Sequence, residues 1–196
     1  MIFACILTEG WSSCFWKTGH NHKEDKKGTH IIFNEQDEIT TTMAEMSKEE
    51  IARFVTQGTL TGKLATVRND GSSHVVPIWF VLDNENSKRR GKIGNIIFTT
   101  DRTSVKANNI RRNDRVSICI DDQIRPFSFV TIFGSARILP HKQKEILKWA
   151  TKIAERYMGK KNAEAYGRRN SSESEVLVRI NPTRIIAEKN IAGWDQ

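Results

Sequence analysis

The run from Ile97 to Asn113, IFTTDRTSVKANNIRRN, concentrates the chemistry of this chain. It reads as a buried strand that stops at Thr99 and Thr100, turns, and opens a helix. The hydroxyls of Thr99, Thr100 and Ser104 gather there with the cation of Lys106. A helix N-terminus adds unpaired backbone N–H groups and a partial positive charge. That combination suits a phosphate. The preceding apolar run, Val75 to Leu82, supplies a wall against which a flat ring can lie. A phosphate anchor beside such a wall suits a phosphorylated planar cofactor.

Several elements must position these groups. Ser47-Lys48-Glu49-Glu50 is a capping box. It starts a helix whose apolar stripe is Ile51, Phe54 and Val55 and which ends at Gly58. Strand-like runs follow at Gly62–Arg68 and Val75–Leu82, with Asn69-Asp70-Gly71 between them as a hairpin turn. Asp83 to Lys92 is polar and reads as a loop. Further strands are expected at Ile93–Thr100, Val116–Asp121 and Phe127–Ile138, with Gly134 as a bend or bulge. Pro140 opens a helix over His141–Met158, whose stripe is Ile146, Leu147, Ala150, Ile153, Ala154 and Tyr157. A short helix over Lys160–Arg168 comes next. The last strand is Glu175–Ile180 and Thr183–Ala187, interrupted by Pro182. Short connections between strands, with few helices, predict a mainly β architecture. It is a split antiparallel barrel of Greek-key type with about six strands and a few flanking helices. The pattern lacks the strict β-α-β alternation of a doubly wound sheet.

With 196 residues the chain can bury one real core. Residues 1–42 show no sustained periodicity and are expected to form a disordered extension; residues 43–196 form the domain. Met43 or Met46 is a candidate start. The N-terminal apolar run lacks a basic leader and is short for a signal peptide, so the expected location is the cytoplasm, with no membrane partner. Three cysteines, Cys5, Cys14 and Cys119, do not make a disulfide framework. Cys5, Cys14, His20 and His22 fit no zinc spacing, so no metal is expected. The net charge is +8. Its cations are dispersed, and no helix-turn-helix, zinc finger or aromatic RNA-binding motif accompanies them; no nucleic-acid partner is expected. No nucleophile–histidine–acid arrangement can be read, and the catalytic residues stay unassigned.

Taken in order, Gly62-Lys63-Leu64-Ala65-Thr66-Val67, Asp70-Gly71 and His74-Val75-Val76-Pro77-Ile78-Trp79-Phe80 resemble the flavin-binding split-barrel proteins related to pyridoxamine 5′-phosphate oxidase. Phe98-Thr99-Thr100 and Ser104-Val105-Lys106-Ala107-Asn108-Asn109-Ile110 add to that resemblance. Arg125-Pro126-Phe127-Ser128-Phe129-Val130 and Asn181-Pro182-Thr183-Arg184-Ile185-Ile186-Ala187 resemble the branch that uses the deazaflavin coenzyme F420. The resemblance spans Ser47 to Asp195. It implies a homodimer with two cofactor sites at the interface. It implies a phosphate held by Lys106, Thr99, Thr100, Ser104 and Asn109, and a ring lying against Val76, Pro77, Ile78 and Trp79. Arg125 is a further cofactor or substrate contact, with a surface salt bridge as its other reading. The implied activity is hydride transfer between coenzyme F420 and a small planar or conjugated acceptor. There the cofactor carries the chemistry and the protein supplies binding and orientation. The proton donor stays open among solvent, Arg125 and Tyr166. An FMN-dependent oxidase or reductase of the same fold is the first alternative. A non-catalytic flavin or tetrapyrrole carrier is the second.

Overall fold

The computed structural model describes residues 23–24, 30–31, 44–84 and 93–192. The expected disordered extension falls largely outside them, as do Cys5, Cys14, His20 and His22. Within that stretch two short strands, β1 (Lys23–Glu24) and β2 (His30–Ile31), pair with each other. A third short strand, β3 (Ala44–Glu45), pairs with the chain's last strand.

Helix α1 (Lys48–Thr56) begins as its capping box requires. The Glu50 N–H donates to Ser47 Oγ at 3.2 Å, and the Ser47 N–H donates to Glu50 Oε2 at 2.8 Å. Its Ile51, Phe54 and Val55 plug the main core. Strands β4 (Gly62–Val67) and β5 (Ser73–Ile78) form the expected hairpin, with Leu64 opposite Val76. At its turn Gly71 has φ +83°, and Asp70 Oδ1 accepts from the Ser72 N–H at 2.9 Å. Strand β6 (Val81–Asp83) comes next. Strand β7 (Asn95–Asp101), helix α2 (Val105–Arg112), β8 (Arg115–Asp122) and β9 (Ser128–Ile138) follow. Helices α3 (Gln143–Met158) and α4 (Lys160–Arg169) then precede the long β10 (Glu175–Lys189).

All pairings are antiparallel, and the strands lie in the order β5-β4-β8-β9-β10-β7-β6. The two ends of this order are neighbours in the chain. Only Trp79 and Phe80 separate β5 from β6. Six gaps of ~4.8 Å would hold the edges of a flat sheet about 29 Å apart, whereas three residues of chain reach about 11 Å. The sheet must therefore roll up, with its seam closed by the chain and not by ladder hydrogen bonds. This is the split barrel. Its interior is apolar: Leu64, Phe80, Phe98, Ile118, Ile132 and Ile180 are fully buried. A second, smaller cluster of Ile97, Ile146, Trp149 and Leu177 lies beneath α3.

The expected single strand Val75–Leu82 is corrected. Its apolar run is continuous, but the chain breaks at Trp79–Phe80 and crosses from one sheet edge to the other, so one predicted strand becomes two. Pro77 has no N–H for a ladder and sits on the edge strand, as its chemistry demands. The last strand is also unbroken. Pro182 is accommodated by a register shift between Pro182 and Arg184.

Gly134 faces that shift. A Cβ there would lie 2.6 Å from the Asn181 carbonyl oxygen and 2.7 Å from Ile180 Cγ2. No helix among the described residues is long and apolar enough to cross a membrane. Gly134→Ala is expected to lower the unfolding free energy by about 2 kcal/mol through overpacking. Urea denaturation checks this; an unchanged midpoint would show that the β9–β10 contact yields freely.

Candidate functional site

The junction from β7 to α2 is built by local hydrogen bonds. Asp101 Oδ1 accepts from the Thr103 N–H at 2.7 Å and from the Thr103 hydroxyl. These bonds, with the hydroxyl first, hold the Asp101 carboxyl below its ordinary range. The Ser104 N–H donates to the Asp101 carbonyl at 3.1 Å. Ser104 then caps α2: its Oγ accepts from the Ala107 N–H at 3.3 Å and lies 3.0 Å from Thr100 Oγ1. The N–H groups of Val105 and Lys106 begin the helix without intrahelical acceptors.

Strand alternation divides the two threonines. Thr100 shares the inward face with Ile96 and Phe98, and is buried; Thr99 shares the opposite face with Ile97. The structure thus brings Thr100, Ser104 and the α2 N-terminus together, and places the Thr99 side chain on the other face of β7.

Lys106 lies half-buried in the first turn of α2, which carries no acidic residue. Its ammonium makes no hydrogen bond or close ion pair among the described residues. Burial pushes its pKa down, and the carboxylates of Glu175 and Asp101 act the other way. Glu175 faces Asp101 across the β10–β7 ladder. Burial, and then Asp101, push the Glu175 carboxyl up, against the pull of Lys106. A half-buried cation with unfilled donors, next to free backbone N–H groups, is what an anion such as a phosphate completes.

Asn109, one turn further on, is buried and tied inward. Its Nδ2 donates to Thr66 Oγ1 at 3.0 Å, and its Oδ1 accepts from Arg112 Nη2 at 3.1 Å. Thr66 Oγ1 donates in turn to the His74 carbonyl at 3.4 Å. This chain of bonds fixes α2 against β4 and β5. Beside it lies a shallow depression of about 360 Å³, lined by Arg68, Asn69, Asp70, Asn109 and Arg112.

On β5 the residues expected at a ring alternate. Ile78 is buried and Val76 half-buried, while Pro77 is exposed. Trp79 follows the strand, is 36% exposed, and stacks on Tyr157 of α3 with ring centroids 4.9 Å apart and planes 2° from parallel. Arg125 is exposed in the turn between β8 and β9.

Sequence reasoning missed Asp101, Glu175, Thr66 and Arg156, and took Tyr157 for an ordinary helix-stripe residue. Arg156 donates to the carbonyls of Val55 at 2.9 Å, Phe80 at 3.0 Å and Gly58 at 3.1 Å. Tyr157 Oη donates to the Leu60 carbonyl at 2.9 Å and accepts from the Phe80 N–H at 3.4 Å. The only signal in the sequence was an Arg-Tyr pair at the end of an amphipathic helix.

A family model described as pyridoxamine 5′-phosphate oxidase matches residues 47–188. Among solved structures, a conserved hypothetical protein from Mycobacterium tuberculosis is 26% identical with a TM-score of 0.60, over 81% of this chain and 91% of that one. An FAD-binding protein from Mesorhizobium loti is 21% identical with a TM-score of 0.55, over 74% of this chain and 96% of that one. The heme storage protein from Vibrio cholerae is 17% identical with a TM-score of 0.55, over 73% of this chain and 96% of that one. At such identities the last two speak for the fold alone. No curated protein matches the chain.

The raised pKa of Glu175 sets a pH dependence. A carboxyl raised on folding contributes stability that is present below its unfolded pKa and lost as pH rises through the folded one. Glu175→Gln is therefore expected to be more stable than the parent at neutral pH, with the gap closing as pH falls through the carboxylate range. Thermal unfolding from pH 4 to 8 reads it. A gap that widens toward acid would reverse the sign and refute the burial argument.

Proposed function

This chain belongs to the pyridoxamine 5′-phosphate oxidase family, and from that premise we propose that it is an oxidoreductase using coenzyme F420. It would pass hydride between the deazaflavin and a small planar or conjugated acceptor. The observation that carries the reading is Lys106, a half-buried ammonium without a hydrogen-bond partner among the described residues, at the N-terminus of α2.

The residues present fit the group. Lys106 and the first N–H groups of α2 hold the phosphate. The Asn109–Thr66 bond keeps that helix end in register with β4 and β5. The flat part of the molecule would then lie along β5 toward Trp79, which is five residues, or about 16 Å of strand, beyond His74. The bound deazaflavin supplies a hydride at its ring carbon. The protein lowers the barrier by holding ring and acceptor face to face. Exposed aromatic and apolar side chains at the edge of β5 keep water from one side of that stack.

The choice of deazaflavin over FMN rests on charge. The deazaflavin carries an anionic lactyl-glutamate tail beyond its phosphate. The depression lined by Arg68, Asp70 and Arg112 begins one helical turn from Lys106. Arg68 offers the tail a second cation there, while Arg112 already donates to the Val67 carbonyl at 2.7 Å and to Asn109 Oδ1 at 3.1 Å. Arg111 is otherwise engaged, donating to the Arg102 carbonyl at 2.7 Å and to Asn108 Oδ1 at 2.8 Å. The FMN reading is favoured by the Lys106 anchor taken by itself, since one phosphate satisfies it.

Titration of the cofactor-free protein with coenzyme F420 and, separately, FMN decides between them. Saturable binding of the deazaflavin alone is expected. Lys106→Ala should weaken it at least tenfold, about 1.4 kcal/mol. Binding of FMN alone moves the protein to the flavin branch, and an unchanged Kd in Lys106→Ala removes the phosphate site.

The exposed edge of the barrel carries the expectation of a homodimer. Val67 and Val75 are apolar, exposed and diagonal neighbours across the β4–β5 ladder, and Val75 is 58% exposed. A second copy would cover them and bring the two cofactor sites to the interface. Light scattering on the eluting protein should give twice the chain mass of 22.4 kDa. A mass of one chain would exclude the dimer.

A further inference from the structure

Trp79 and Tyr157 stack at the seam of the barrel, with the Arg156 guanidinium close by. The Tyr157 ring has Trp79 parallel to it at 4.9 Å, and the Arg156 guanidinium lies 5.1 Å from its centroid. Tyr157 is itself fixed by its two hydrogen bonds to the backbone of Leu60 and Phe80. Arg156 is held by carbonyls from α1, the following loop and the seam. Neither residue can turn without breaking several bonds. The Trp79 ring is thus clamped from behind while over a third of its surface stays open. Its indole N–H has no hydrogen-bond partner among the described residues.

A tryptophan that served only the core would turn its ring inward, as Phe80 next to it does at full burial. Instead the ring is committed to a stack on Tyr157 while Trp79 stays exposed at the sheet edge. Aromatic rings held in a fixed plane recognise other flat π systems at little entropic cost.

With Trp79 the ring wall of the reading above, we propose that Tyr157 is a positioning residue that acts through Trp79, fixing it as a pre-set platform for a planar ring. The ligand class is a flat, conjugated heterocycle. This rests on the cofactor reading above, in which the ring lies toward Trp79.

A double-mutant cycle on the full-length protein tests it, with coenzyme F420 and FMN as probes and cofactor fluorescence as the readout. Tyr157→Leu removes the backing ring and should weaken binding roughly fivefold, the scale of one aromatic pair. Trp79→Leu should weaken it more. The double variant should bind within about twofold of Trp79→Leu, because Tyr157 has nothing left to act through. Tyr157→Phe keeps the ring but loses the bonds that fix it, so it should lose less affinity than Tyr157→Leu while lowering the melting temperature. If Tyr157→Leu does not fold, Tyr157→Met, nearer in volume and also without a π face, takes its place in the cycle. Fully additive losses, or no loss in the leucine or methionine variant, overturn the platform. A parent protein that binds neither cofactor overturns the cofactor reading and the platform with it; a parent that binds while the losses add overturns the platform alone.

Discussion

Two residues of chain joining opposite edges of a seven-strand sheet is the constraint on which the rest depends. A flat sheet cannot satisfy it, so the strands curl and enclose one apolar interior. The curl leaves a difficulty at the join. Backbone groups at Trp79 and Phe80 lose their ladder partners just where Phe80 enters the core. Each buried group left unpaired would cost about 1–3 kcal/mol. Side chains from α3 take over: Arg156 donates to the Phe80 carbonyl, and Tyr157 accepts from its N–H. The same guanidinium reaches carbonyls at and just beyond the end of α1. It has no carboxylate partner among the described residues, and burial works against its charge. Carbonyl oxygens and the Phe80 and Tyr157 rings provide the compensation.

A different logic governs the α2 end. There the hydrogen bonds run inward, from Asn109 to Thr66 and on to His74, so that helix and hairpin move as one. The charges, by contrast, are left incomplete. Lys106 is half-buried without a bonded partner among the described residues, and Glu175 is half-buried beside Asp101. Such an arrangement is costly in the empty protein and gains when an anion arrives. Asp101 is held ionised by Thr103 and contributes to keeping Lys106 charged.

Local chemistry was legible in the sequence. The capping box of α1, the Asp-Gly turn, the Ser104 cap and the period-two burial of the strands each depend on a few neighbouring residues. The motif order from Gly62 to Ala187 pointed to the family that residues 47–188 match. What escaped depends on distant partners. The apolar run Val75–Leu82 contains no glycine, and nothing within it says that its two halves belong to opposite edges. Pro182 looked like a break because its partner, Gly134, lies far away in sequence. Thr99 and Thr100 looked equivalent until the pleat sent them to different faces. Arg156 and Tyr157 could not be singled out, because the carbonyls they satisfy are exposed only by the seam.

The seam also explains why an aromatic ring is available at the surface. Had β5 and β6 paired, Trp79 would stand in a continuous ladder, its orientation set by alternation and its neighbours packed on both sides. Splitting the barrel removes those neighbours and replaces them with one helix end on one side. The device that repairs the backbone therefore fixes the ring as well, since Tyr157 does both with its hydroxyl and its face. Closure by side chains costs hydrogen-bond regularity, but it leaves an open edge whose geometry is rigid. The proposed seating of a flat, phosphorylated molecule rests on this edge, lined by apolar groups on β5, together with the half-buried Lys106 at the head of α2.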